Sequence, residues 1–136
     1  MLLQQIEKLQ LIAHSWKSLD ASILVDVLAD DIKFESQWDL VSIEGKEEFL
    51  DYLTHKFQSI REYSQDNLCN ITADVVLHPS LFNSPGLVIT QITNVGVNQV
   101  SVVIRIMNNL ITRIDICFVP DPVEAIRIYT LQDNSN

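Results

Sequence analysis

Residues 19–53 read LDASILVDVLADDIKFESQWDLVSIEGKEEFLDYL. This stretch predicts a short helix that ends at Ala29-Asp30-Asp31, a strand over Ile32–Glu35, an irregular polar and aromatic segment, and an amphipathic helix that begins at Gly45. Asp20 is a suitable N-cap for the short helix. The predicted buried face of that helix is Ile23, Leu24, Val27 and Leu28.

Two longer helices are predicted around the short one. The first covers roughly residues 2–17 and the last runs from Gly45 to about Glu62, because apolar residues recur in both at spacings of three and four. Glu47 and Glu48 lie in the first turn of the last helix, where the helix dipole favours negative charge. The apolar stripes are Leu2, Ile6, Leu9, Ala13 and Trp16 in the first helix, and Phe49, Tyr52, Leu53, Phe57 and Ile60 in the last.

After Leu68 the apolar period changes from about 3.6 to 2, which predicts strands. Turns are predicted at residues 83–86, which read NSPG, and at Asn108-Asn109, because asparagine tolerates a positive φ. Pro120 and Pro122 should end the last long strand. The predicted strands are residues 69–77, 87–93, 99–107 and 110–119.

The order of elements, helices first and then a meander of long strands, predicts an α+β fold with three N-terminal helices packed on one face of a mainly antiparallel sheet. Alternate residues of the last two strands form a wholly apolar face, which should lie against the helices. The opposite face is too apolar for plain solvent and too charged for a core, which suits a subunit interface. The apolar face is Val100, Val102, Ile104, Ile106, Ile114, Ile116 and Phe118; the mixed face is Ser101, Val103, Arg105, Met107, Ile111, Arg113, Asp115 and Cys117.

Length and composition fit a single globular domain over residues 1–136, with a core in 1–119 and a C-terminal extension in 120–136 whose last residues should fray. The net charge of −9 repels phosphate backbones and anionic lipids, so we expect no nucleic acid and no membrane as partners. Glu7 and Lys8 interrupt the N-terminal apolar residues, which predicts an amphipathic helix and not a signal peptide, and hence a cytoplasmic protein. Two cysteines, Cys69 and Cys117, make neither a disulfide framework nor a metal site, and we expect no metal and no cofactor.

The chain resembles the NTF2-like superfamily, and most closely its SnoaL-like and ketosteroid-isomerase-like branches. The resemblance rests on LADDIKFE at residues 28–35, on IEGKE at residues 43–47 and on the order of predicted elements over residues 1–119. Residues 34–53 are also similar to a subgroup of small uncharacterised bacterial proteins of this superfamily. The resemblance implies a curved sheet wrapped around the helices like a cone, a pocket that opens between them, and a homodimer joined through the outer sheet face.

The resemblance also allows the isomerase positions to be compared one by one. Alignment on Ala29-Asp30-Asp31 puts the general-base aspartate of the isomerases at Ser36 and their tyrosine at Ile12. Alignment on Ile104-Arg105-Ile106 puts their protonated aspartic acid near Val102. Serine is no base at neutral pH without a base beside it, and neither isoleucine nor valine donates a hydrogen bond. The sequence therefore argues against a steroid-isomerase mechanism.

The segment Glu35-Ser36-Gln37-Trp38-Asp39 is the first place to look for a site, because it leaves the first strand where pockets of this superfamily open. Trp38 offers a flat surface for ligand stacking, but the simpler interpretation, which we favour, is that it plugs the end of the cone, because large aromatic residues more often fill cores than bind ligands. His14 and Asp39 are candidates for acid–base catalysis, against the simpler interpretation of surface residues. The predicted pocket residues are Trp16, Ser36, Trp38, Tyr52, Val102, Ile104, Ile114, Ile116 and Phe118, and the predicted dimer-interface residues are Arg105, Arg113 and Asp115.

Three functions follow as hypotheses. The first is binding of a small, mostly apolar molecule in the cone, where the hydrophobic wall supplies affinity and a few polar groups orient the ligand. The second is an enzyme of the cyclase, dehydratase or hydrolase type that uses His14 or Asp39, which requires one of them to point into the cone. The third is a non-catalytic dimeric interaction module with a filled cone.

Overall fold

The structure is a computed structural model that describes residues 2–65 and 69–128. Within these residues the chain forms two α-helices, seven strands and three short turns of 3₁₀-helix. The helices are α1 (Leu2–Ser18) and α2 (Lys46–Gln65). The strands are β1 (Leu28–Ser36), β2 (Val41–Glu44), β3 (Cys69–His78), β4 (Ser84–Thr93), β5 (Gly96–Met107), β6 (Leu110–Cys117) and β7 (Ile126–Arg127).

The strands form one mixed sheet in the order β2-β1-β6-β5-β4-β3-β7. Strands β3 to β6 make an antiparallel meander, as the sequence predicts, and β1 joins β6 as the one parallel pair among the described strands. Asn108 and Asn109 have φ values of 54° and 64°, so the asparagine turn between β5 and β6 is confirmed. The turn predicted at residues 83–86 is shorter, because Phe82 and Asn83 take the left-handed conformation and β4 already begins at Ser84.

The prediction of three N-terminal helices is wrong. The segment after α1 makes a single 3₁₀ turn over Ala21–Leu24, and Asp20 caps it as predicted by accepting a hydrogen bond from the backbone N–H of Ser22. The chain then extends early, since Leu28 already pairs with Ile111 of β6. Pairing with β6 therefore overrides the helical spacing of the apolar residues in this stretch.

Asp30 and Asp31 are exposed within an irregular part of β1. The register of β1 against β6 shifts between Leu28 and Lys33, so the residues between them bulge away from regular pairing. The two carboxylates thus reach solvent from a bulge in a strand, and not from the C-terminal end of a helix. The short strand β2, which the sequence analysis left as irregular, pairs with the end of β1 through Val41 and Ser36.

Both α-helices lie on the face of the sheet that carries Val100, Val102 and Ile104, here called the inner face. The apolar stripe of α2 and the part of the α1 stripe from Leu9 onward meet this face in one core cluster, in which Leu9 and Phe57 are at most 1% exposed. Leu2, at the start of the predicted α1 stripe, is 57% exposed and lies outside the core. The sequence therefore predicted the packing of the two long helices correctly. We call the space between these helices and the inner face the cone, and its end near Ser36 and Trp38 the mouth.

The opposite, outer face is partly covered by the chain itself. The Ser101 hydroxyl donates a 2.7 Å hydrogen bond to the carbonyl of Pro120, and farther along β7 pairs with β3 at Val76. The C-terminal segment, residues 118–128, therefore crosses the outer face from β6 to β3, and Val76 and Val88 beneath it are 1% exposed. The predicted frayed end at residues 132–136 lies outside the described residues.

Ile111, which the sequence analysis assigned to the mixed outer face, is a core residue with no exposed surface. The register of β5 against β6 shifts between Arg105 and Ile106, so that Ile106 pairs with Ile111 while Arg105 pairs with Arg113. One extra residue in β6 reverses the side to which the first residues of the strand point. Parity counted back from Ile114 therefore fails at this bulge.

Candidate functional site

The mouth of the cone is closed by the turn between β1 and β2, which is tied to α2 through Asp39. The Lys56 ammonium lies 2.9 Å from both carboxylate oxygens of Asp39, and the Tyr52 hydroxyl donates a hydrogen bond to one of them. The backbone N–H of Asp39 donates to Ser36 Oγ at 3.1 Å, which fixes the turn internally. Leu40 follows with a φ of 55°, a strained value for a branched side chain.

Trp38 lies inside this closed mouth as a half-buried plug. Its ring stacks on Trp16 of α1 with 6.4 Å between ring centroids and 18° between planes. Lys56 places its ammonium 4.8 Å from the centroid of the Trp38 ring, within the range of a cation–π interaction. Phe57 packs edge-on against Trp16 at 4.9 Å and connects this aromatic pair to the core. Trp38 is therefore held by residues from both helices.

The cluster is electrostatically matched. Lys56 and Asp39 neutralise each other with only about a quarter or less of each side chain exposed, so their attraction is less screened than at an open surface. Burial raises the pKa of Tyr52, and the hydrogen bond to Asp39 and the charge of that carboxylate raise it further. Tyr52 therefore remains a hydrogen-bond donor over the whole physiological pH range.

The predicted wall of the pocket is in place but closely packed. Val102, Ile104, Ile114 and Ile116 lie on the inner face and expose at most 9% of their surface, so they pack against the helices. Phe118 is different, because it follows the end of β6 and is 51% exposed. The polar residues predicted near the mouth come together, whereas Phe118 lies outside the wall.

The three positions compared with the isomerases lie in the core. Ile12, Ser36 and Val102 are 1%, 4% and 1% exposed, and Ser36 Oγ accepts the hydrogen bond from Asp39 already described. His14 lies on the exposed side of α1. His14 and Asp39 are thus not brought together as a pair by any contact among the described residues.

Two of the three residues predicted for a dimer interface are paired within the chain. Arg113 makes two hydrogen bonds to Asp115, at 2.9 and 3.0 Å, and its guanidinium lies 3.2 Å from Glu35. Arg105 is exposed. Beside them a groove of about 470 Å³ runs between the outer face and the C-terminal segment, lined by Glu35, Gln37, Ser80, Leu81, Val103, Asp115, Ile116, Cys117, Val119 and Pro120.

Lys56 is the residue of the mouth that the sequence analysis missed. It follows Tyr52 by four residues, which places both side chains on the same side of α2 one turn apart. That spacing is the signal that could have found it, since a tyrosine and a lysine one turn apart at the edge of an apolar stripe make a composite donor site.

No helix within residues 2–65 and 69–128 is long and apolar enough to cross a membrane. In the same part of the chain, no three histidine, cysteine, aspartate or glutamate side chains are grouped so that they could hold a metal ion. Cys69 and Cys117 are free thiols.

Solved structures identify the fold. An uncharacterised cystatin-fold protein from Novosphingobium aromaticivorans has a TM-score of 0.61 at 12% identity, over 82% of this chain and 96% of its own. An NTF2-like protein of unknown function from Cytophaga hutchinsonii has a TM-score of 0.55 at 13% identity, over 84% and 88%. A putative ketosteroid isomerase from Kribbella flavida has a TM-score of 0.58 at 10% identity, over 93% and 81%.

The chain therefore has the NTF2-like, cystatin-like α+β fold that its sequence predicts. At these identities the likeness concerns the fold alone, since this fold hosts many unrelated functions. No protein-family model and no curated protein matches the sequence. The function must accordingly be argued from the site.

Proposed function

We propose that this chain binds a small, mostly apolar molecule at the mouth of its cone, in the place that Trp38 occupies in this structure. The observation that carries the proposal is the position of Trp38. Its ring stacks on Trp16 and lies 4.8 Å from the Lys56 ammonium, and it belongs to a turn and not to a helix. Flat aromatic surfaces with a few oriented polar groups are typical of small-molecule sites.

The packing of the inner face supports a site at the mouth over one deep in the cone. A ligand among Val102, Ile114 and Ile116 would have to displace well-packed core side chains, which costs several kcal/mol. Displacing Trp38 requires the turn to move and the contacts of Asp39 to break. The contacts of Asp39 are a partly exposed ion pair and one hydrogen bond, together worth about 1–3 kcal/mol, and an aromatic ligand would replace the contacts of the Trp38 ring with Trp16 and Lys56.

Native mass spectrometry of the freshly purified protein tests this function directly. We expect a defined small-molecule mass on the folded chain that is lost on denaturation. Trp38→Ala should leave an apolar space beside Trp16, and indole should therefore raise the melting temperature of this variant more than that of the wild type. A matched control is Tyr63→Ala, which removes an exposed aromatic side chain of α2. The absence of an adduct together with no stabilisation of Trp38→Ala by indole would refute the proposal.

The same geometry gives less support to an enzyme. Both oxygens of Asp39 are engaged by Lys56 and one also by Tyr52, so this carboxylate has little freedom to accept a proton from a substrate. His14 is exposed on α1 and lies outside the cluster.

A second candidate function, dimeric interaction through the outer face, is favoured by the groove beside the C-terminal segment. Its floor includes Val103 and Cys117, and exposed Phe118 and Val119 follow β6 at its edge. Native mass spectrometry reports the oligomer in the same spectrum. If the outer face joins two copies, Val103→Asp should give monomers, whereas Ser59→Asp on the exposed side of α2 should not.

A further inference from the structure

The two adjacent residues Trp38 and Asp39 together present an aromatic ring and a carboxylate to the mouth of the cone. The ring lies on Trp16, and the carboxylate accepts hydrogen bonds from Lys56 and Tyr52. The donors belong to α2, whereas the ring and the carboxylate belong to the turn. We infer that this turn occupies its own binding site, and that the ligand is an aryl carboxylate of one or two fused rings that replaces Trp38 and Asp39.

This inference rests on the proposed function and adds the chemical class of the ligand. In the closed state Lys56 and Tyr52 are both half-buried on α2, and they lose their shared acceptor when the turn moves out. A half-buried ammonium and a phenol that stays protonated are complementary to a carboxylate, which accepts charge-assisted hydrogen bonds from both. Leaving Lys56 without a counter-charge in this setting is costly, so the open state itself favours an anionic ligand.

The size of the ligand follows from the size of the Trp38 side chain that it replaces. Trp16, with Phe57 behind it, provides a flat apolar surface that one indole ring now covers. A bicyclic aromatic ring has the same thickness and a similar area. The Lys56 ammonium lies 4.8 Å from the centroid of the ring that leaves, so we expect the ligand carboxylate to be attached close to its ring. A larger ligand would meet the core residues of the inner face, which leave little room.

The Asp39 carboxylate then competes with the ligand for the hydrogen bonds of Lys56 and Tyr52. A ligand must break its contacts before it binds, so the apparent affinity is reduced by the small fraction of molecules in which the turn is open. Removing the negative charge of Asp39 weakens the closed state and also leaves Lys56 free for the ligand. Affinity for an aryl carboxylate should therefore rise when Asp39 is neutralised, which is the opposite of what a direct ligand-binding role for Asp39 would give.

Isothermal titration calorimetry with 1-naphthylacetate and its neutral analogue 1-naphthaleneacetamide tests the inference. We expect the wild type to bind the acid at least tenfold more tightly than the amide. Asp39→Asn should tighten binding of the acid by about tenfold, and Lys56→Met should abolish the preference for the acid. Asp51→Asn is the matched control, because it removes one negative charge from an exposed position of α2, the helix that carries Lys56.

The outcomes separate the inference from the proposed function. If neither probe binds the wild type or folded Asp39→Asn, while Trp38→Ala also fails to bind indole, the proposed function is wrong. If the acid and the amide bind equally and Lys56→Met changes neither, the site is apolar and the assignment of a carboxylate ligand is wrong. If Asp51→Asn tightens acid binding as much as Asp39→Asn does, the effect is one of net charge and Asp39 is no competitor.

Discussion

Gly86 lies where a side chain has no room, mainly because of the imidazole ring of His78. A Cβ at Gly86 would be 2.5 Å from Nε2 and 2.7 Å from Cδ2 of His78, and 3.0 Å from the carbonyl oxygen of Val102. The backbone of Gly86 does not have the positive φ found at Gly45 and Gly96. Gly86→Ala therefore tests steric packing without backbone strain.

The ring of His78 would have to move by about 1 Å to reach normal van der Waals distance. The ring is 1% exposed, so it cannot turn out to solvent without moving its neighbours. Overpacking of this kind costs about 1–3 kcal/mol, which for a chain of this size lowers the melting temperature by roughly 3–15 °C. Since His78 is the main obstacle, the cost of Gly86→Ala should fall to below about 1 kcal/mol in a His78→Ala background, where the Val102 carbonyl remains.

Urea denaturation of the wild type, both single variants and the double variant gives this coupling energy directly. Ile60→Val is the matched control: it alters a buried side chain on α2, and its effect should add to that of Gly86→Ala. A cost for Gly86→Ala that is the same with and without His78 would refute the reasoning. So would a cost near zero in the wild-type background.

The remaining predictions concern single groups. Burial lowers the pKa of His78 below 6.5, and both ring nitrogens lack hydrogen-bond partners among the residues that the structure describes, so the neutral form is favoured in the fold. The stability that His78 contributes should be fully present above pH 6.5 and fall by at most about 1.4 kcal/mol per pH unit below it. Urea series at several pH values should show this loss in the wild type and not in His78→Ala. Burial, and then the charge of Asp115, raise the pKa of Cys117 to about 11. Alkylation of Cys117 by iodoacetamide at pH 8 should therefore be at least about 100-fold slower than alkylation of a free cysteine. Asp115→Asn should restore only a small part of the rate, because burial is the larger cause. Asp39→Ala should release the turn of the mouth and expose Trp38, with a loss of about 1–3 kcal/mol of stability. The tryptophan fluorescence of the variant should therefore shift to the red. An unchanged spectrum would argue that stacking alone holds the Trp38 ring.

Most of the fold could be predicted from apolar periodicity, because it depends on local repeats. The stripes of α1 and α2 and the alternation along β5 correctly placed residues such as Leu9, Phe57 and Val102 in one core. The errors arose where pairing between distant segments decides local structure. Leu28 is in a strand because β6 is available to pair with it, and Ile111 faces the core because of a bulge in β6. Neither effect can be recognised from the local sequence.

Coverage of the outer face could not be predicted from the sequence either. Its mixed composition pointed to a subunit interface, but part of that apolar surface is covered by the C-terminal segment through Pro120 and Ser101. A proline after the last strand predicts that the strand ends. It does not predict where the chain goes next, because that depends on a hydrogen bond between residues 19 apart.

The site at the mouth could be predicted in part, and the missing part is the most informative. The segment around Trp38 and Asp39 stood out by composition, and Tyr52, 13 residues from Asp39, was predicted as a pocket residue. Lys56 lies 17 residues from Asp39 and looked like an ordinary position of an amphipathic helix. In the closed state these two residues stabilise the fold by holding Asp39. In our proposal they hold the carboxylate of a ligand. Because the same donors serve both purposes, a substitution at Lys56 should lower stability and ligand affinity together, while one at Asp39 should lower stability and raise affinity. This opposition of sign is the physical signature of a site that is occupied by its own chain.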